Sequence, residues 1–408
     1  MSDNAKFRRI LVIGINYAPE NIGIGKYSGE MCAWLAAQGH TVRMVTAPPY
    51  YPAWKVWPEY RRAWFQRESI DGVDVIRCPT WVPAKPNGFK RIVHLASFAF
   101  SSAIALAASL TWRPTHVMAI APSLSSAPAA WLMARLTRAR CWLHIQDFEL
   151  DAALDMGIVK AGRFKRMAMA VERWLLQRFD RVSSISTRMV ERLEAKGVDA
   201  DKRALFPNWA DIEAIQPLTR PSAYRHELRI PEEAVVALYS GNMGLKQGLE
   251  LLGEAAQRLR SRNDIYFVLG GQGPGRDALE AQCSGLPNVR FLGLQPIERL
   301  NDWLGLADIH LLPQRADVAD LVMPSKLTGM LASGRPVLAT AFPGTGVALA
   351  VQDSGHVVVP GDANAFVEAL QTLANDAALR ASLGQAARQQ ALDTVARDGI
   401  LLRFARML

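Results

Sequence analysis

The sequence has little cysteine. Four occur in 408 residues, Cys32, Cys78, Cys141 and Cys283, and no two are close enough for a Cys-x-x-Cys or Cys-x-x-His pair. That spacing excludes a disulfide framework and a structural zinc site, and it fits a reducing compartment. Low-complexity tracts are missing too. The 29 glycines and 23 prolines are ordinary for this length, which rules out a collagen-like chain. An excess of basic residues is missing from one half only. Residues 1–220 hold 30 Lys and Arg against 19 Asp and Glu, and the remainder holds 17 against 19. A basic half faces something anionic: nucleic acid, phospholipid or a phosphorylated substrate.

What is present suits a folded protein. Half of the residues are hydrophobic and 21% are charged, so global disorder is excluded. No secretory leader is expected, because the apolar run at residues 10–15 is too short. The stretch 92–112 approaches the roughly 20 residues that span a bilayer. It carries His94 and four serines, with Lys90, Arg91 and Arg113 at its flanks. We read it as a buried or interfacial helix rather than a spanning one.

Short β-branched runs alternate with stretches of helical length along the whole chain. Strands are expected at 10–14, 41–46, 73–77, 116–120, 141–145 and 181–185. A second series follows at 234–240, 265–270, 289–292, 309–312, 336–340 and 356–359. Buried strands separated by helices build a parallel sheet covered on both faces. Between the series, residues 207–232 are rich in proline and charge and read as a linker. The expectation is therefore two doubly wound α/β domains, 1–217 and 218–390, with a C-terminal helix at 391–408 packing back on the first.

In such sheets ligands bind beyond the carboxyl ends of the strands. The loop after the first strand, 14–27, brings Gly23 and Gly25 to a helix start. Glycine there allows close backbone approach, and a helix start favours anions. These glycines stand too far from the strand for a dinucleotide fingerprint. The first strand of the second domain runs into Gly241, Asn242 and Lys246, and Pro324-Ser325-Lys326 opens a later helix. A lysine at each place suits phosphate oxygens. His144 and Asp147 end a strand of the first domain and are expected near the reacting groups, as catalytic residues. Asp199-Ala-Asp201 looks like a sugar-transferase metal motif but lies in a turn, and no metal is expected.

Taken in order, these pieces resemble glycosyltransferase family 4, whose members have the GT-B fold, two Rossmann-like domains facing a central cleft. The resemblance rests on the late glycine loop, Pro207-Asn208, Gly241 with Lys246-Gln247-Gly248, Gly270-Gly271-Gln272-Gly273-Pro274, Phe291-Leu292-Gly293, and Pro324-Ser325-Lys326 followed by Ser333-Gly334-Arg335-Pro336. Gly14-Ile15-Asn16-Tyr17, Pro48-Pro49-Tyr50-Tyr51-Pro52 and His144-Ile145-Gln146-Asp147 are similar to the subgroup that makes colanic-acid-type exopolysaccharide, described as fucosyltransferases. The resemblance implies a retaining, metal-independent transferase without cofactor. Its implied donor is a nucleotide-sugar such as GDP-fucose, and its implied acceptor a lipid-linked oligosaccharide. It also implies a cytoplasmic enzyme peripheral to the anionic inner face of the plasma membrane, with no nucleic-acid partner. Gly23, Gly25, Asn242, Lys246, Phe291, Leu292, Pro324, Ser325 and Lys326 are then the donor-binding residues. The sequence departs from the family at Gly329 and Leu321, where many members carry a pair of glutamates. Two other readings stay open: a nucleotide-sugar epimerase on the same fold, and a basic nucleic-acid- or membrane-binding protein, given Trp54, Trp57, Tyr60 and Trp64 among arginines.

Overall fold

The computed structural model describes residues 7–148, 163–244, 247–316 and 324–408. The chain forms two compact units. Unit 1 is Met1–Pro207 with Leu401–Leu408, and unit 2 is Asn208–Ile400.

In unit 1 the strands are β1 (Arg9–Gly14), β2 (Thr41–Thr46), β3 (Gln66–Ile70), β4 (Val73–Arg77), β5 (His116–Ala121), β6 (Arg140–Ile145), β7 (Arg181–Ser184) and β8 (Arg203–Leu205). They form one sheet in the order β3-β4-β2-β1-β5-β6-β7-β8. All pairs are parallel except β3 with β4. The helices are α1 (Gly23–Ala37), α2 (Gly88–Ala108), α3 (Ala127–Thr137), α4 (Arg163–Leu176) and α5 (Thr187–Ala195). Central strands such as β1 are buried on both faces, as parallel strands between helix layers must be.

Unit 2 opens with α6 (Ala223–Glu227) and β9 (Val235–Ser240), then α7 (Glu250–Arg258), β10 (Ile265–Gly270), α8 (Arg276–Gln282) and β11 (Val289–Leu292). It continues with α9 (Leu300–Gly305), β12 (Ile309–Leu312), α10 (Lys326–Ala332), β13 (Val337–Thr340), α11 (Gly346–Val351) and β14 (Gly355–Val358). The helices α12 (Ala363–Asn375), α13 (Ala377–Gln390) and α14 (Arg397–Met407) close the chain. The sheet is parallel, in the order β11-β10-β9-β12-β13-β14.

The units divide at Pro207/Asn208 rather than near residue 217. The polar segment is not a free linker. Ala210 donates its N–H to Val395 O at 2.8 Å and accepts from Arg397 N at 3.1 Å. Arg388 donates to the carbonyls of Ile212 and Ile215 at 2.9 and 2.8 Å, and Ile215 is buried in the core of unit 2. The chain then returns: α14 begins in unit 2, and its last residues belong to unit 1. There Phe404 stacks on Phe206 at 4.3 Å and meets Trp142 edge-on at 5.0 Å.

Candidate active site

The loops after β9 and β10, neighbours in the unit 2 sheet, are pressed together without side chains between them. A Cβ on Gly271 would stand 1.8 Å from the carbonyl oxygen of Gly241, and the φ of Gly271 is +148°. Only glycine takes that backbone at that separation. Gly241 N donates to Gly270 O at 3.0 Å, Met243 N to Gln272 O at 2.9 Å, and Gly271 N to Leu292 O at 3.1 Å. Trp303 lies against Gly270 and donates its indole N–H to Ser240 Oγ at 2.8 Å. The ledge is therefore rigid. The N–H groups of Asn242, Gln272 and Gly273 find no protein acceptor among the described residues. Backbone N–H groups without an acceptor at a turn suit an anion.

Lys326 stands over this ledge from the start of α10. Its ammonium is 4.2 Å from the centre of the Tyr239 ring and donates to Gln247 Oε1 at 3.2 Å. Its Cδ lies 3.2 Å from where a Gly241 Cβ would be. Among the described residues no carboxylate pairs with it. Burial without a counter-ion pushes its amine down to about 7. A half-buried lysine lacking an anion of its own is built to receive one from a ligand.

The other predicted donor residues of unit 2 gather nearby. Asn242 is exposed at the tip of the β9 loop, and its carbonyl accepts from Tyr239 at 2.7 Å. Phe291 and Leu292 end β11 half-buried, and Arg276 donates to the carbonyls of Leu292 and Gly271 at 2.8 and 2.6 Å. Pro324 is half-buried and Ser325 exposed ahead of Lys326, but Ser325 makes no side-chain cap. Lys246 and Leu321 lie outside the described residues. A side chain at Gly329 would meet Leu304 at 3.3 Å and Ile215 at 3.9 Å. Apolar groups therefore surround the position where many family members carry a glutamate.

In unit 1, Gly23 opens α1 with φ +59°. Gly25 has a different reason: its Cβ would fall 2.7 Å from Glu20. Sequence reasoning missed Glu20. Its buried carboxylate accepts from Tyr50 N and Tyr51 N, both at 2.8 Å, and from Asn16 Nδ2 at 2.9 Å. Burial raises its pKa, against the lowering by those donors. Arg77, fully buried at the end of β4, donates to the carbonyls of Ala47 and Ala18 and pairs with Glu68 at 2.6 Å. Glu20 and Arg77 thus fix the loops after β1 and β2 to each other. The signal was an arginine closing an apolar strand and an acid in the loop that follows β1.

His144 does not stand where a proton-handling residue should. It is 2% exposed, its Nδ1 shares a hydrogen with Ser183 Oγ at 2.9 Å, and its ring packs on Phe206 at 4.9 Å. Burial pushes its imidazole down from 6.5 to about 3. The catalytic expectation is corrected: His144 is a neutral core group beneath the chain's last residues. Asp147, three residues on, is exposed. A depressed histidine has a consequence for stability. Unfolded chains take a proton below pH about 6.5 and the fold refuses it until about 3, so stability falls as pH drops through that window. The slope for one histidine is about 1.4 kcal/mol per pH unit. Denaturant titrations of unit 1 across that range should show it, and His144→Gln should flatten it by one proton. An unchanged slope in that variant refutes the assignment.

Among the described residues no three His, Cys, Asp or Glu side chains gather as a metal-ligand set. Asp199 is exposed in its turn and faces Lys202 at 3.5 Å.

Each unit is a Rossmann-like sheet between helices, and unit 2 carries an amide ledge beside a lysine, an arrangement suited to a phosphorylated ligand. Residues 23–209 match the glycosyl transferase 4-like domain and residues 234–376 the glycosyl transferases group 1 domain. The chain belongs to this glycosyltransferase family, and its fold is GT-B. It is 42% identical over 403 residues to the putative colanic acid biosynthesis glycosyl transferase WcaI of Escherichia coli, covering 97% of this chain and 98% of that one. Among solved structures, sucrose-phosphate synthase from Thermosynechococcus elongatus superposes with a TM-score of 0.76 at 19% identity, covering 98% of each chain. HepE of Anabaena, in complex with UDP and glucose, superposes at 0.70 with 15% identity, covering 98% of this chain and 99% of that one. Matches to transferase domains on both halves favour transfer over the epimerase and nucleic-acid-binding readings.

Proposed function

We propose that this glycosyltransferase moves a sugar from a nucleotide-sugar, GDP-fucose, onto a lipid-linked oligosaccharide in the synthesis of a colanic-acid-like exopolysaccharide. The reaction retains anomeric configuration and uses no metal or cofactor. The enzyme works in the cytoplasm, peripheral to the anionic inner face of the plasma membrane. The observation that carries the reading is Lys326, a cation with no carboxylate partner among the described residues, beside the glycine ledge. Charge grows on the departing diphosphate as the glycosidic bond breaks, and a fixed cation with preorganised N–H donors stabilises it. Lys246 adds a second cation in this proposal. Phe291 and Leu292 take the base. Gly23 leaves backbone open to the donor, and Gly25 makes room for the Glu20 side chain that shapes the same loop. Asp147 replaces His144 as the polar group for the acceptor hydroxyl. The similarity to the colanic acid relative supports the pathway class.

A panel of GDP-, UDP-, TDP- and ADP-sugars, scored by thermal unfolding, tests the donor. A ligand held only by the folded state adds about 2.7 kcal/mol at a hundredfold excess over its Kd. GDP-fucose should raise the melting temperature most. A chain that melts unchanged with every member defeats the reading.

A further inference from the structure

Three neighbouring helices of unit 1 expose apolar side chains together. Helix α2 packs on α3, and Trp131 of α3 meets Trp174 of α4 at 6.3 Å. Phe100 and Ile104 on α2, Leu132 and Leu136 on α3, and Val171 and Trp174 on α4 are each between 48% and 73% exposed. A soluble surface rarely leaves so many large apolar groups together. Helix α2 is 21 residues with a mean hydropathy of 1.5, long and apolar enough to cross a bilayer. Its other face is already committed: Phe98, Ala105 and Leu106 lie in the core of the unit. Such a helix lies on a membrane rather than through it.

The helices of this face are predominantly basic. Helices α2 and α3 contain no acidic residue, and the sole one on α4, Glu172, is buried against Lys196 at 2.6 Å. Arg178 lies over Trp174 at 4.4 Å and Trp131 at 5.5 Å, and Arg135 lies over Trp131 at 5.9 Å. Neither guanidinium has a carboxylate partner among the described residues. Together with Trp174 and Lys202 they line a pocket of about 290 Å³. Asp180, also on its wall, is engaged by the N–H of Cys141 at 2.7 Å. Indole faces hold the guanidinium planes and leave their N–H forks free, the geometry that takes phosphate bidentately.

We infer that this α2–α3–α4 face docks on an anionic phospholipid surface, with Arg135 and Arg178 clamping a lipid headgroup phosphate beside the inserted apolar side chains. The inference deepens the membrane part of the proposed function and rests on it, but needs nothing from the donor site.

The full chain is floated with vesicles of phosphatidylglycerol and phosphatidylcholine in equal parts, and with phosphatidylcholine alone. It should partition to the anionic vesicles far more strongly. Arg135→Gln with Arg178→Gln should lower that partition about thirtyfold, about fivefold per cation, and leave the neutral vesicles unaffected. Phe100→Ser with Ile104→Ser should lower binding to both. All four positions are exposed, so the variants fold, and their sugar-nucleotide thermal shifts should match the parent's. Equal partition of parent and arginine variant, or no preference for anionic vesicles, overturns the inference. So does resistance of the bound chain to alkaline carbonate, which marks a spanning helix. A flat nucleotide panel with intact flotation defeats the donor reading alone.

Discussion

Lys326→Ala should lower glycosyl transfer by about a hundred- to a thousandfold, the loss typical of one preorganised transition-state donor. The deficit should fall on kcat more than on KM, because the diphosphate gains charge as it leaves. Steady-state rates of parent and variant check this. The reaction should also depend on pH in a stated direction. In the free protein the amine is held down to about 7, and only its charged form grips a diphosphate. Hence kcat/KM should fall as pH rises through about 7. An arriving diphosphate raises that pKa again, so donor binding above neutrality should take up a proton, visible in calorimetry as a heat that depends on the buffer. Transfer at the parental rate in Lys326→Ala removes the lysine from the site.

Gly271→Ala should be nearly as damaging, by a different route. The added methyl would lie 1.8 Å from the Gly241 carbonyl oxygen at a φ of +148°, so one of the two loops must move. Backbone strain and overpacking together cost about 4 kcal/mol, which lowers the melting temperature of a unit this size by on the order of 10 °C. Donor binding should vanish with the amide ledge. Gly285→Ala is the matched comparison. Its φ is +75° but nothing lies within 4 Å, so it should lose only about 1 kcal/mol. Equal melting curves for the two variants would show that the close approach is unimportant.

Much of the architecture was readable because parallel strands are short apolar runs. Strands β1, β2, β4, β10, β11 and β12 fall where their β-branched residues place them. Strand β3 was invisible: Gln66–Ile70 is an antiparallel edge with exposed polar side chains, and nothing in its periodicity separates it from a loop. Strand β8 has three residues, too few for any pattern. The boundary was misplaced because proline and charge resemble a linker locally, whereas Ala210 and Arg388 tie that segment to residues far along the chain. Lys326 was legible from its Pro-Ser-Lys helix start. Its seat on Tyr239 was not, since a separation of 87 residues leaves no local trace. His144 failed for the same physical reason. Alternation along β6 shows that Trp142 and His144 share a face, but not that Phe404, from the chain's end, covers it.

That last covering has a consequence for how the molecule is made. Residues 401–408 belong to unit 1, yet the ribosome delivers them after all of unit 2. Domains generally fold as they emerge, N-terminal first, but here the first unit stays unfinished until residues 401–408 have been made. Until then Trp142 and Phe206 lack the Phe404 ring that covers them, and residues 401–408 act as a closing clasp on a part of the protein synthesised much earlier.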